Sequence, residues 1–305
     1  MNIQFISKYL ADLHQRCSQY HNILSLILIL ASIYLIVLSA TSQAQEIDNS
    51  SDKGALFFYD DYASILKQYV DDEALVAYKS LQANRQRLDN FVALLEGVQD
   101  STYNKWTSTE KIAFWINAYN ALTLVAIIDH YPIKASGLSS FRFPENSIRQ
   151  IPGVWKKLQF TVKGKRVTLD EIEHKILRAQ FKEARIHMAL VCASIGCPPL
   201  RNEPYTGAQL EKQLDDQSRL FLSLSRNFKI DRARKKVYLS SIFNWFKSDF
   251  EVQNSPGKSI SGQGKALSAV LNFIAKYLSA NQRNYLLQAS YSIDYLEYDW
   301  SLNGQ

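Results

Sequence analysis

The residues best suited to chemistry lie in the stretch His187 to Leu200, HMALVCASIGCPPL. It contains one histidine and two cysteines, Cys192 and Cys197, followed by two prolines. A cysteine reacts as its thiolate, and it needs a neighbouring base to form that thiolate near neutral pH. The pattern therefore indicates either a cysteine–histidine active site or a disulfide that closes a short loop.

The local structure around these residues limits which side chains can meet. The segment from Ala184 to Cys192 is predicted to be a strand. In a regular strand His187 and Cys192 face opposite sides, because successive side chains alternate. A direct pair of these two residues therefore requires a bulge or the end of the strand, whereas Cys197 can turn back towards either face.

Three interpretations of the two cysteines remain open. They form a disulfide or redox pair, one of them is a catalytic thiol, or both are unpaired and matter mainly for packing. A disulfide would close a very short loop, so its chain-entropy contribution is only roughly 2 kcal/mol. The sequence gives less support to thiol–disulfide exchange than to a structural disulfide. Four residues separate the cysteines, whereas redox-active pairs have two residues between them.

A second histidine and a glutamate lie on the helix predicted just before this segment. Helical neighbours of His174 include Asp170 and Arg178, so an acid can orient or charge its ring. We take His187 or His174 as the candidate base and Glu173 as the group that orients it. The histidines lack the tight spacing of a metal-ligand pair such as HxxxH, so we predict no metal and no cofactor.

Two amides interrupt an otherwise apolar helix, Asn117 and Asn120, three positions apart and hence on one face. A buried amide without partners destabilises a protein by about 1 to 3 kcal/mol, so both must face polar groups. Either they hold the backbone of a neighbouring loop, or they line the site, where they orient a histidine or donate to a developing oxyanion.

The elements that must position these side chains follow from capping and periodicity. Thr107 and Glu110 form a capping box at the start of a helix from Lys111 to Asp129, which is apolar almost all round and is predicted to be central and buried. His130, at its end, is a candidate C-terminal cap. Thr168 and Glu171 form a second capping box. The other predicted elements are hairpins at Leu158–Val162 with Arg166–Leu169 and at Phe228–Ile230 with Lys236–Leu239, helices at Phe57–Val70, Asn84–Val98, Thr206–Ser225, Ser241–Phe250 and Leu267–Leu278, and a closing strand at Ile293–Trp300.

The N-terminal region has the pattern of an export signal. Residues 23–39 form an uncharged apolar run that follows a basic segment, and small residues at a suitable spacing place a cleavage site before Gln45. We predict a signal peptide or an uncleaved membrane anchor at residues 1–44, a linker at 45–54 and one domain at 55–303. The domain is then periplasmic or extracellular, where a disulfide is a real alternative to free thiols.

Charge and motif content exclude some partners. The formal net charge is +6, and the chain has neither a basic run nor an aromatic motif for stacking on bases, so we predict no nucleic-acid partner. A membrane is expected only through the N-terminal segment if it stays uncleaved. The expected partner is a small-molecule or peptide substrate, and the oligomeric state stays open.

Four blocks together resemble one family, the domain of unknown function 547. They are AFWINAYNAL at Ala113–Leu122, LDEIEHKILR at Leu169–Arg178, HMALVCASIGCPPL at His187–Leu200 and YDWSLN at Tyr298–Asn303. The resemblance implies a widespread domain, found in some larger proteins beside thiol-transfer domains, and it implies no established reaction.

The sequence therefore predicts an α+β fold, a mostly helical single domain with a small antiparallel sheet or hairpins, with a papain-like or transglutaminase-like core as a further possibility. The expected function is a thiol-dependent hydrolase or transferase that acts on an amide, thioester or peptide-like bond through a cysteine–histidine site. The alternative is a non-catalytic exported binding or assembly module with a Cys192–Cys197 disulfide.

Overall fold

The computed structural model describes residues 59–135, 137–254 and 259–305, which belong to one compact unit. The predicted signal segment, residues 1–44, and the predicted linker, residues 45–54, lie outside the described residues. The architecture is α+β, with many helices and two small sheets.

Helices account for most of the regular structure. The α-helices are α1 (59–69), α2 (Tyr78–Ala83), α3 (Gln86–Gly97), α4 (Asp100–Tyr103), α5 (Ser108–Ile128), α6 (Leu169–Glu171), α7 (Leu210–Ser223), α8 (Ser241–Trp245), α9 (Glu251–Asn254), α10 (Lys265–Ala275) and α11 (Ala280–Gln288). The strands are β1 (Gln159–Val162), β2 (Lys165–Thr168), β3 (Phe228–Asp231), β4 (Lys236–Ser240) and β5 (Ser292–Leu296). Short 3-10 helices occupy Gly137–Phe141, Ile148–Gln150, Ala184–Met188 and Lys247–Phe250.

Helix α5 is the centre of the fold. The predicted capping box is present, because Thr107 accepts from the Glu110 N–H and the Glu110 carboxylate accepts from the Thr107 N–H. Every residue from Ile112 to Ile128 is buried, as the all-round apolar sequence requires. The predicted cap at its end is also seen, since His130 Nδ1 lies 2.8 Å from the Ala126 carbonyl oxygen.

Helix α5 also explains the one membrane-span signal within the described residues. It is long and apolar enough to cross a membrane, but 94% of its most apolar window is buried inside the protein. It is therefore a core helix. The predicted N-terminal span at residues 23–39 lies outside the described residues.

Both predicted hairpins form, β1 with β2 and β3 with β4. The closing strand is shorter than predicted, and β5 pairs with β4 in parallel, so the second sheet is mixed rather than antiparallel. A parallel pair needs a long crossover, which here contains the helices α8 to α11.

The predicted strand from Ala184 to Cys192 is wrong. Ala184–Met188 forms a 3-10 helix that begins where the Glu183 side chain accepts from the Arg185 N–H, and irregular chain follows. The backbone beyond it is held by a side chain of α5 and not by a neighbouring strand, so no ladder forms. Strand alternation therefore places no restriction on His187 and Cys192.

The helix after β2 starts at the predicted capping box of Thr168 and Glu171 and then widens. From Ile172 to Phe181 it is a π-helix, in which each N–H bonds the carbonyl five residues earlier. π-Helical turns are uncommon and occur frequently at functional sites. Helix α7 begins later than predicted, at Leu210. Thr206, the predicted first residue, does not cap it, and the Thr206 N–H donates to the Gln213 side chain instead.

The apolar side chains form two clusters. The first surrounds α5 and includes side chains of α1, α2, α3, β1 and the first half of α7. The second is built from β3, β4, α8, α10 and α11. Ile186 belongs to the first cluster and Met188 to the second, and Tyr298 packs against both. His187 thus lies in a segment whose side chains pack into both clusters.

Candidate functional site

One cavity of about 200 Å³ brings together five of the seven predicted site residues: Cys192, Cys197, His187, His174 and Glu173. The remaining lining residues come from α5, from the segment before β1, from α6, from the chain on either side of the cysteines, from α8 and the residue after it, and from the C-terminal segment. They are Tyr119, Arg149, Trp155, Asp170, Leu190, Pro198, Ile242, Trp245, Phe246, Tyr298 and Trp300.

Cys192 and Cys197 form a disulfide at one wall of the cavity. Their Cα atoms are 6.1 Å apart, which lies within the ordinary range for disulfides. The Tyr298 hydroxyl lies 3.1 Å from each sulfur, and the Cys192 N–H donates to Cys197 Sγ at 2.9 Å. Cys197 is buried and Cys192 is partly exposed, so Cys192 is the more accessible residue of the pair.

Tyr298 reaches the sulfurs because the C-terminal segment pairs with the cysteine loop. The Ile195 N–H donates to the Ser301 carbonyl at 2.8 Å, and the Gly196 N–H donates to the Asp299 carbonyl at 2.9 Å. A Cβ atom at residue 196 would lie 3.0 Å from the Asp299 nitrogen and 3.1 Å from Tyr298 Cδ1, so a side chain there would push these two strands of chain apart by a few tenths of an ångström. Burial raises the pKa of Tyr298, and its hydroxyl therefore stays protonated and able to donate to sulfur.

His187 is buried and oriented by an aspartate. Its Nε2 lies 2.8 Å from Asp249 Oδ2, and its ring stacks on Phe246 with the centroids 4.0 Å apart. Burial lowers the pKa of His187, against the opposing effect of Asp249, so the ring is neutral at pH 7. Since a carboxylate only accepts, the proton of the neutral ring is on Nε2, and Nδ1 keeps its lone pair.

Asp249 is shared between His187 and an arginine. Arg178 donates to its two oxygens at 2.5 and 2.8 Å. Burial alone would raise the pKa of Asp249, but the hydrogen bonds from Arg178 and His187 outweigh it and lower that pKa. The carboxylate is therefore ionised whenever the protein is folded near neutral pH.

His174, the second candidate base, belongs to the same network. Arg178 Nη1 lies 2.7 Å from His174 Nδ1, and His174 Nε2 lies 3.6 Å from Asp170 Oδ1. Burial and the Arg178 cation lower the pKa of His174. His174 is therefore neutral, with its proton on Nε2, because an arginine can only donate to Nδ1.

Glu173 does not have the orienting role that the sequence suggested. Its Oε2 accepts from the Tyr119 hydroxyl at 3.4 Å, and in the described part of the chain it bonds neither histidine. Burial raises its pKa to about 7, against the opposing Arg178 cation. Glu173 is thus suited to gain or lose a proton near neutral pH, while Asp249 orients His187.

The two amides of α5 hold backbone and do not line the cavity. Asn120 bonds the Ala189 carbonyl at 3.0 Å and the Val191 N–H at 2.9 Å, just before the first cysteine. Asn117 makes the same pair of bonds with the backbone of Tyr205, at 2.7 and 2.9 Å. Of the two roles considered for these amides, the geometry gives them the loop-holding one.

Sequence reasoning missed several groups of the site, among them Asp249, Phe246 and the Tyr298 hydroxyl that contacts both sulfurs. Asp249 lies 62 residues after His187, so no local spacing links the two. Tyr298 lies in the block YDWSLN, which was a usable signal because that block already stood out by its resemblance.

The described residues do not bring a set of metal-ligating side chains together. No group of three or more histidine, cysteine, aspartate and glutamate side chains is arranged in this part of the chain to hold a metal ion. The acidic and histidine side chains of the cavity instead bond one another, Arg178 and Tyr119.

Comparison with known proteins identifies part of the chain. Residues 103–222 match the family model described as "Protein of unknown function, DUF547". No curated protein and no solved structure matches. The matched segment includes the disulfide, Glu173 and both cavity histidines, whereas Asp249 and Tyr298 lie beyond it. The chain therefore carries a DUF547 domain at residues 103–222.

Proposed function

We propose that the cavity is the active site of a thiol-dependent hydrolase or transferase that acts on an amide, thioester or peptide-like bond. The observation that carries this proposal is that a cysteine pair, two neutral histidines and a glutamic acid with a pKa of about 7 line one cavity. Acyl transfer through a thiol needs a nucleophile, a base and an acid in one place.

Cys192 is the proposed nucleophile, and His187 is the proposed base. Cys192 is the more exposed of the two cysteines, and Tyr298 can donate to its thiolate. His187 has its Nε2 occupied by Asp249, so its Nδ1 is the atom available to accept a proton. In the described residues no hydrogen bond joins a sulfur to a histidine, so the thiol must turn towards the ring after reduction.

In the proposed reaction, His187 receives and returns every proton that is transferred. The thiol proton moves to His187, and Cys192 Sγ forms a bond to the acyl carbon. The bond from this carbon to the leaving nitrogen, sulfur or oxygen breaks, and His187 returns the proton to the leaving group. Water, or a second nucleophile in a transferase, then attacks the thioester carbon and gives a proton to His187. The bond from this carbon to Cys192 Sγ breaks, and His187 returns the proton to the thiolate, which restores the thiol.

The disulfide is the resting form in this scheme. A dithiol reductant supplies two electrons and two protons, cleaves the sulfur–sulfur bond and becomes a disulfide itself. Cys197 then masks the nucleophile when it is oxidised and leaves it free when it is reduced. The roles resemble those in papain-like and transglutaminase-like enzymes, and we infer this likeness from the residue types alone.

A non-catalytic alternative rests on the same disulfide. In it the Cys192–Cys197 bond closes a structural loop, and the domain is an exported binding or assembly module. Both proposals place the domain outside the cytosol, as the apolar run at residues 23–39 predicts.

The test uses p-nitrophenyl acetate as the acyl donor, with protein reduced by a dithiol and then desalted. We expect a burst of one p-nitrophenol per protein, absent from oxidised wild type and from Cys192→Ser. Cys197→Ser should give the burst without any reductant. His187→Gln should slow acylation by about 100-fold, whereas His130→Gln, which changes a histidine outside the cavity, should not.

The alternative predicts a different outcome. If neither reduced wild type nor Cys197→Ser shows a burst, and if iodoacetamide labels their thiols at a rate that His187→Gln does not change, the thiol-enzyme proposal is wrong. Circular dichroism of each variant separates a lost base from a lost fold.

A further inference from the structure

One of the residues that line the cavity is an arginine packed against three aromatic rings. Arg149, on the 3-10 helix Ile148–Gln150, has its guanidinium carbon 4.4 Å from the ring centroid of Phe143, 4.9 Å from that of Trp300 and 5.5 Å from that of Trp155. The aromatic faces attract a cation and limit where the side chain can move. The guanidinium is therefore positioned before any ligand arrives.

This arginine differs from the other arginine beside the cavity. Arg178 also lies over an aromatic ring, Phe246 at 4.9 Å, but Asp249 occupies its fork with two hydrogen bonds. Among the described residues, no carboxylate forms an ion pair with Arg149, and no protein atom accepts from its guanidinium. Its planar set of N–H donors, which matches a carboxylate, is thus available to a ligand.

The acidic residues in the cavity are bound to other groups. Asp170 lies 3.6 Å from His174 and 4.0 Å from Lys156, and Glu173 bonds the Tyr119 hydroxyl. Arg149 is therefore the cation of this cavity without an anion of its own in the described chain. Beside it, Trp245 and Trp300 stack with their centroids 6.1 Å apart and extend an apolar surface from the guanidinium towards Tyr298.

We propose that Arg149 and its aromatic rings form a subsite for a carboxylate of the ligand, so that the compound bound in this cavity carries an acid group beside the acyl group presented to Cys192. A peptide with a free C-terminal carboxylate has this chemistry. The identification of the acyl group rests on the function proposed above, whereas the carboxylate subsite rests only on the environment of Arg149.

Binding can be measured without turnover, because the oxidised protein holds Cys192 in the disulfide. The rings of Trp155 and Trp300 contact the guanidinium, so tryptophan fluorescence reports on the subsite. The probes are N-acetyl-dialanine with a free carboxylate and the same compound as its C-terminal amide. We expect the acid to bind roughly tenfold or more tightly than the amide, the range of a charge-assisted hydrogen bond to a guanidinium.

Variants separate a local contact from general charge. Arg149→Met should remove the preference for the acid, and Arg149→Lys should keep part of it, because lysine keeps the charge but not the fork. Arg142→Met is the matched control: it removes a nearby exposed cation that does not line the cavity, so the preference should persist. Equal binding of acid and amide, no saturable response to the acid, or an unchanged preference in Arg149→Met would overturn the subsite. None of these outcomes depends on a p-nitrophenol burst, so a failed subsite and a failed enzyme are told apart.

Discussion

Replacing Glu173 with glutamine should remove a large pH dependence from the stability of the protein. Burial raises the pKa of Glu173 from 4.5 to about 7, so the folded state favours its neutral carboxyl. Glutamine has nearly the same shape and stays neutral at every pH. The variant therefore keeps the packing of the protonated side chain without its titration.

The size and sign of the effect follow from the two pKa values. Their difference, from 4.5 to about 7, corresponds to about 3 kcal/mol, since one pKa unit is worth about 1.4 kcal/mol. Below pH 4.5 the carboxyl is neutral in both states, and its contribution to stability is fully present. As the pH rises to about 7 the unfolded state releases its proton first, so this contribution is lost; above that pH it stays constant.

The assay is urea unfolding of wild type and Glu173→Gln at several values from about pH 4 to about pH 8. The free energy of unfolding of the variant should rise relative to wild type by about 3 kcal/mol across this range. Glu96→Gln is the control, because Glu96 is exposed on α3 and the same chemical change there should leave the curves parallel. Parallel curves for Glu173→Gln would refute the burial argument.

Two further substitutions test the framework of the cavity. Replacing Asp249 with asparagine removes the carboxylate that Arg178 and His187 share. Because a half-buried cation is then left unpaired, we expect the free energy of unfolding, measured with urea, to fall by about 2 kcal/mol. An unchanged value would show that the ion pair adds nothing to stability. Replacing Asn120 with alanine leaves a buried carbonyl and a buried N–H before Cys192 without partners, so we expect a loss of about 2 to 4 kcal/mol and faster amide exchange at Val191. Exchange as slow as in wild type would contradict the loop-holding role of this amide.

The helical part of the fold was predictable because its signals are local. The capping box at Thr107 and the uninterrupted apolar sequence after it require a buried helix, and α5 is that helix. The two hairpins follow from alternation around short charged turns. The segment from Ala184 to Cys192 was mistaken for a strand because its composition suits one, while Asn120, 69 residues before Ala189, supplies the bonds that a strand partner would make.

For the candidate site as well, the residue types could be predicted from the sequence and their contacts could not. The sequence by itself determined the groups available for chemistry: two cysteines and three histidines after residue 44, with Glu173 and the amides of α5 among polar candidates. Only the tertiary structure decided that the cysteines are joined, that Asp249 rather than Glu173 orients His187, and that Tyr298 reaches both sulfurs. The contacts of Asp249 and Tyr298 join residues 62 to 106 positions apart, and their geometry depends on how two apolar clusters pack, which residue spacing does not encode.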